Sequence, residues 1–281
     1  MMKFTKMHGL GNDFIFFENL DNVEMGYSEM AVKMCHRQLG IGADGIIAVL
    51  PSEVADLRMR IINADGSEAN MCGNAIRCFA RYAYERGLVN SKSFRIETFA
   101  GIIIPEVIIR DEQVEAVRVN MGKPDLRRES IPMLGDEIAA ISVNLPLVDQ
   151  EINITSLLMG VPHTMVFVDD LEAVELEKMG RNIEKHSLFP RGTNVNFVEV
   201  VSRDRIKVRT WERGAGATLA CGTGSCASAV ASVLNKYTGR FVTVELQHGE
   251  LQIEWAEDGT VFMTGTAEES FSGEINLSLQ S

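Results

Sequence analysis

The chain has 281 residues, longer than the usual single domain of about 100–200, so one large domain or two similar ones are expected. With 46% hydrophobic and 23% charged residues it has the composition of a globular protein with a real core, and its net charge of −12 argues against nucleic acid or an anionic membrane as partner. A small anion is still admissible, because local backbone dipoles can hold one against the global sign. The opening MMKFTKMHGLGNDF lacks the apolar core and cleavage site of a signal peptide, and no apolar run reaches the ~18 residues of a membrane span. The expected compartment is the cytoplasm. Five cysteines, an odd number in a chain of this length, predict free thiols in a reducing environment rather than a disulfide framework.

Short strands are predicted at 3–7 and 14–17, around HGLGNDF. Glu29 to Leu39 has a helical period, and the apolar run IIAVL after GIGADG reads as a buried strand. Leu57 to Ile62 alternates as a half-buried strand and leads into NADGSEANMCGNAIR. After Gly73, the residues Ile76, Phe79, Ala80 and Ala83 fall on one face of a helix, and Gly87 stands where that helix should stop. Strands are predicted at Ser93–Glu97, Ile102–Ile108 and Val114–Asn120. The order then recurs. A strand is expected over His163–Asp169, helical signals run from Leu171 to Lys185, and strands follow at Asn194–Val201 and Ile206–Trp211. The last of these leads into ERGAGATLACGTGSCA. A helix marked by Ala227, Val230, Ala231 and Leu234 ends at Gly239, and strands follow at Val242–Leu246, Glu250–Trp255 and Val261–Met263.

The two halves share more than order. Asn63 to Cys72 and Glu212 to Cys221 are both nine residues, and in each half Cys-Gly opens a helix. Cys72 to Gly101 is 29 residues and Cys221 to Gly249 is 28, so the chain repeats with a period of 149. A repeat this long indicates a duplicated domain. The expected fold is α+β, with two pseudo-symmetric domains, each a curved, mostly antiparallel sheet wrapped around a central helix. The first domain is expected over 1–122, with residues 268–281 returning to it, and the second over 123–267, because Gly122-Lys123-Pro124 breaks the pattern.

A cysteine at a helix N-terminus meets backbone N–H groups and the positive end of the dipole, which favour thiolate over thiol. The N–H groups of Gly73, Asn74, Gly222 and Thr223 are also placed to hold a carboxylate. A lone cysteine before glycine is usually a small buried residue; a matched pair in a duplicated chain reads differently. Two thiols on opposite faces of a carbon acid form a pair of general acid–base groups, one removing a proton while the other donates one, which inverts an α-carbon. A developing negative charge on the carboxylate would be stabilised at the helix N-termini.

These segments resemble the cofactor-independent amino-acid racemase and epimerase family, and within it the diaminopimelate epimerases. The matching stretches are MHGLGNDF, GIGADG, NADGSEANMCGNAIR, ETFAG, GVPH, FPRGTNVNF, WERGAGATLACGTGSCA and MTGTA, in order over nearly the whole chain. The resemblance implies two domains with the active site between them and catalysis without pyridoxal phosphate or metal. It implies Cys72 and Cys221 as the acid–base pair, Glu212 and His163 as accessory catalytic residues, and Gly73, Asn74, Gly222 and Thr223 as the carboxylate cradle. Asn12, Asn63, Asn194 and Arg213 match substrate binders, with Glu212 at the α-ammonium and Arg213 suited to a distal carboxylate. The departure from the pattern that matters is Val161, which stands where the family has Asn before Pro-His and removes a contact to the distal end of the substrate; Gly45 and Ala217 are lesser differences. Racemisation of a different amino acid, or binding without catalysis, is therefore the competing reading. The expected partner is a small amino-acid substrate, with neither nucleic acid nor membrane, and a homodimer is one open assembly.

Other signals point elsewhere but are weaker. Gly40 to Gly45 fits GxGxxG, yet a helical pattern precedes it and a strand follows, the reverse of a dinucleotide site. Cys72…Cys78 and Cys221…Cys226 lack zinc-site spacing. Cys35, Cys78 and Cys226 read as packed core residues, and His8, His36, His186 and His248 as loop or surface residues.

Overall fold

The structure is a computed structural model that describes residues 1–147 and 150–276. The chain divides into two units, one of Met1–Val119 with the segment from Gly265 onward, the other of Asn120–Thr264. In chain order the first contains β1 (Met2–Gly9), β2 (Asn12–Glu18), α1 (Tyr27–Met34), β3 (Gly45–Leu50), β4 (Leu57–Asn63), β5 (Glu68–Ala69), α2 (Gly73–Glu85), β6 (Ile96–Thr98), β7 (Gly101–Ile103), β8 (Glu106–Arg110) and β9 (Gln113–Asn120). The second contains β10 (Ala140–Pro146), β11 (Glu151–Met159), β12 (Val161–Val168), α3 (Leu176–Glu184), β13 (Asn194–Ser202), β14 (Arg205–Glu212), β15 (Gly216–Thr218), α4 (Gly222–Leu234), β16 (Phe241–Leu246), β17 (Gly249–Trp255) and β18 (Val261–Gly265). The chain then returns to the first unit as β19 (Glu268–Ile275), which pairs antiparallel with β1 from Met2↔Ile275 to His8↔Glu268. Residues 277–281 of the expected returning segment 268–281 lie outside the described residues.

The internal repeat is visible strand by strand. In the first unit β1–β2 is antiparallel, β2–β3 parallel, β3–β4 antiparallel, β4–β6 parallel and β6–β7 antiparallel, with short β5 on β4. In the second, β11–β12, β12–β13, β13–β14, β14–β16 and β16–β17 repeat that sequence of orientations, with short β15 on β14. The sheets are thus mixed. Parallel neighbours need a crossover, and each of the four parallel pairs has one helix in its connection: α1, α2, α3 and α4 in turn.

The predicted face of α2 is wholly buried at Ile76, Phe79, Ala80 and Ala83. The helix ends as Leu88 N–H reaches Ala83 O at 2.9 Å and Gly87 takes φ +69°. α4 is buried on nearly all sides and packs against β11, β12, β13, β14, β16 and β17. Two of its serines suit that position: Ser225 Oγ donates to Cys221 O at 2.9 Å and Ser232 Oγ to Ser228 O at 2.8 Å, so these two hydroxyls are satisfied without leaving the helix, whereas the buried Ser228 hydroxyl has no partner among the described residues.

Several elements depart from the sequence reading. α1 stops at Met34, five residues before the predicted Leu39, because Ile41 and Gly42 N–H both turn back onto Met34 O. The predicted strand Ile102–Ile108 is two strands, interrupted at 104–105 where Pro105 cannot donate to a ladder. Of the predicted strand Ser93–Glu97 only 96–97 fall in β6, and of the helical stretch Leu171–Lys185 only Leu176–Glu184 is helix. β10, β11 and β19 have no counterpart among the predicted strands, and His8 lies within β1 rather than in a loop.

Candidate functional site

In the first unit Cys72 is the residue before α2, with extended backbone (φ −143°, ψ 124°), and its carbonyl starts the helix by accepting Ile76 N–H at 2.9 Å. Its sulfur lies 3.7 Å from Asn12 Oδ1, which also accepts Asn74 Nδ2 at 3.1 Å. The orientation of Asn12 follows from its other end. Its Nδ2 donates to Asp44 Oδ2 at 2.7 Å, and a carboxylate oxygen can only accept, so the carbonyl oxygen must face Cys72. Asn12, Asn74 and Cys72 are therefore brought together. Asn63 opens the turn before β5, where its Nδ2 donates to Ser67 Oγ at 3.0 Å.

Beneath Asn12 the two glycine-rich loops lock onto each other. Asp44 N–H donates to Asp13 Oδ1 at 3.0 Å and Asp13 N–H to Asp44 Oδ2 at 3.1 Å. Lys6 meets Asp13 at 2.9 Å, and Arg37 meets Asp13 at 3.0 Å and Asp44 at 2.8 Å. Burial alone would raise the Asp13 carboxyl, but the hydrogen bonds and charges of Arg37 and Lys6 outweigh it and hold it below the usual carboxylate range. The segment Gly40–Gly45 is thus a clamp on HGLGND, with a helix before it and a strand after it. Arg77, wholly buried, donates through Nε to Thr266 O at 3.1 Å and ties α2 to the returning segment.

The second unit repeats the construction. Cys221 precedes α4 with extended backbone (φ −119°, ψ 107°), and its carbonyl accepts Ser225 N–H at 2.9 Å. Its sulfur accepts Gly224 N–H at 3.4 Å and lies 3.5 Å from Thr223 Oγ1. Thr223 Oγ1 is in turn 3.0 Å from His163 Nε2. His163 is wholly buried; burial first, and then the charge of Arg213, push its pKa down to about 3, so the ring is neutral. On the far side of the ring, Asn196 Nδ2 lies 3.1 Å from His163 Nδ1, and Asn196 Oδ1 accepts Thr210 Oγ1 at 3.0 Å.

Asn194 is buried and engaged at both ends, donating to Pro162 O at 2.9 Å and accepting Arg213 N–H at 2.8 Å. It holds the start of β12 and the end of β14 in place. Arg213 is exposed and its Nη1 donates to Arg191 O at 2.9 Å. Glu212 is half-buried at the end of β14, and Gly222 is buried at the first position of α4. Val161 opens β12 and is 38% exposed, so its side chain is not a core apolar group.

Lys6, Asp13, Arg37, Asp44, Asn196 and Thr210 were not among the residues singled out from the sequence. For Asn196 a signal was present: in a strand, alternate residues share a face, so Asn196 points the same way as Asn194. The remaining cysteines do different work. Burial pushes the Cys35 and Cys78 thiols up to about 12, and Cys226 is wholly buried. Among the described residues no group of three or more His, Cys, Asp and Glu could hold a metal ion, and no helix is long and apolar enough to cross a membrane.

Comparison with known proteins bears on this pair of helix-capping thiols. A family model described as "Diaminopimelate epimerase" matches residues 4–127 and 155–269. The chain is 53% identical to a diaminopimelate epimerase of Pelotomaculum thermopropionicum over 97% of this chain and 98% of that one. It is 46% identical to one from Methanococcus maripaludis over 98% of this chain and all of that one. Among solved structures, a PhzF-family phenazine biosynthesis protein of Bacillus anthracis superposes with a TM-score of 0.72 at 18% identity, covering 98% of this chain and 99% of that one. A probable proline racemase of Agrobacterium radiobacter superposes with 0.69 at 16% identity, covering 99% and 94%. At such identities the structural likeness speaks for the fold.

Proposed function

The chain belongs to the diaminopimelate epimerase family, an isomerase family, and from that premise we propose that Cys72 and Cys221 are the acid–base pair by which it interconverts LL- and meso-diaminopimelate. One cysteine, as thiolate, takes the α-proton, and the electron pair of the broken C–H bond spreads onto the carboxylate. The other, as thiol, returns a proton to the opposite face of the same carbon. Each turnover leaves the two sulfurs with exchanged protonation states, ready for the reverse reaction. The N–H groups of Gly73, Asn74, Gly222 and Thr223 cradle the reacting carboxylate, where they stabilise its growing charge.

In this reading Glu212 holds the α-ammonium and His163 supports proton transfer. Asn12, Asn63, Asn194 and Arg213 bind the rest of the substrate, Arg213 through the distal carboxylate. No cofactor takes part in the proposed reaction. It belongs to lysine and cell-wall precursor synthesis, and the cytoplasm, which keeps thiols reduced, is the compartment that suits it.

The observation that supports this most directly is the doubled construction itself. A cysteine with extended backbone caps a 13-residue helix in each unit, and in each the cysteine carbonyl begins the helical ladder. The test is incorporation of solvent deuterium at one α-carbon of diaminopimelate. Cys72→Ala and Cys221→Ala should each abolish epimerisation; either variant retaining full activity would rule out the two-thiol mechanism.

A further inference from the structure

Within the second unit, four polar side chains form a line of hydrogen bonds that ends at the Cys221 sulfur, and the direction of that line can be worked out. The start is Asn196. Its Nδ2 faces two acceptors, His163 Nδ1 at 3.1 Å and Met165 Sδ at 3.7 Å, while its Oδ1 accepts the Thr210 hydroxyl at 3.0 Å. An amide nitrogen has no lone pair to offer, so His163 Nδ1 is the acceptor in that bond and carries no proton. A neutral imidazole then has its proton on Nε2. Nε2 therefore donates to Thr223 Oγ1 at 3.0 Å, and the Thr223 proton is turned away from the ring, with the Cys221 sulfur 3.5 Å away. Gly224 N–H donates to the same sulfur at 3.4 Å.

Two donors thus converge on Cys221. At Cys72 the side-chain neighbour differs, since Asn12 presents its carbonyl oxygen to that sulfur. The local architecture is shaped around Asn196. Gly224 lies in the first turn of α4, where glycine is a poor helix former, yet a Cβ there would collide with Asn196 Oδ1.

We infer that Asn196 is a positioning residue: it sets the tautomer of His163, and through Thr223 it aims a hydroxyl proton at Cys221 and holds that sulfur as thiolate. It acts through other groups and does not touch substrate. The inference rests on Cys221 being an acid–base group, but it is read out without turnover. An enzyme inactive on diaminopimelate would sink the proposed activity and leave the measurements below unaffected.

The first measurement is the 15N spectrum of protein labelled at its five histidines, with His163 assigned by its loss in His163→Gln. At neutral pH, Nε2 should be protonated and Nδ1 bare; protonation at Nδ1 overturns the inference. The second is alkylation by iodoacetamide at one fixed pH, followed peptide by peptide. In Asn196→Leu the His163 proton should distribute over both nitrogens. The rate at Cys221 should fall about fivefold, the worth of one hydrogen bond, while Cys72 in the same molecules stays within about twofold. A general loosening of the fold would move both cysteines together, and that outcome, or an unchanged Cys221, overturns the inference. Should the leucine variant not fold, the tautomer in the unmodified protein decides alone.

Discussion

His163 shows how far burial can move a residue from its usual chemistry. Held wholly inside and under the charge of Arg213, it has its pKa pushed down to about 3 from the ordinary 6.5. The unfolded chain takes up that proton at about 6.5, so between these values the unfolded state binds more protons and stability must fall as pH falls. From this residue the loss should be about 1 kcal/mol per pH unit across that window, with the full contribution present above it. Urea midpoints measured from pH 7 to 4 should therefore drop more steeply for the unmodified protein than for His163→Gln; parallel slopes would contradict it. His163 itself was legible in the sequence through GVPH. The bonds that join it to Asn196 and Thr223 were not, because these residues and Thr210 come from three separate elements and no spacing along the chain says that they meet at one ring. The cysteines were easier. Cys-Gly before an apolar face at helical spacing is a local signal, and both cysteines do stand at helix starts.

Elements were legible where one period dominated. The helices α2 and α4 announce themselves by their apolar positions; Gly87 does mark the stop of α2, but α4 ends at Leu234, with Lys236 at φ +64° taking the role expected of Gly239. Strands β10 and β11 do not, since β10 is mostly exposed or half-buried and offers no clean alternation. α3 was overextended because a polar helix depends on its contacts. Its buried residues are Gly180 and Ile183, and Gly180 lies against Trp211, whose Nε1 donates to Glu184 Oε2 at 2.7 Å. A Cβ on Gly180 would come within 2.5 Å of Trp211 Cγ and 2.6 Å of its Cβ, part of a buried ring anchored by that hydrogen bond. Gly180→Ala should therefore destabilise the protein by about 1–3 kcal/mol, although alanine is the better helix former by about 1 kcal/mol. Thermal denaturation checks the sign: a raised Tm would show that Trp211 can yield.

At the scale of the molecule the repeat of 149 residues foretold two units of one design, and the matching order of parallel and antiparallel pairs displays it. What the repeat does not contain is β19, which follows the second unit in sequence and completes the first. Its seven paired positions on β1 are reinforced from α2 and the residue that caps it: Arg77 reaches Thr266 O at 3.1 Å, Arg81 reaches Ala267 O at 2.5 Å, and Arg86 meets Glu269 at 2.9 Å. A chain cut after Gly265 should lose all of this. Its first unit should lack a cooperative unfolding transition and expose β1 as an unpaired edge prone to association. Native-like melting of the truncated protein, with unchanged solubility, would refute that.

The same strand has a consequence for how the enzyme comes into being. Domains ordinarily fold from the N-terminus forward as the ribosome delivers them. Here every strand of the second unit is made before the strand that closes the first. The helix behind Cys221 can be assembled while the helix behind Cys72 still waits for the carbonyls of Thr266 and Ala267. A nascent chain released only as far as Gly265 is therefore expected to carry the Cys221 helix in place and the Cys72 helix still unsupported.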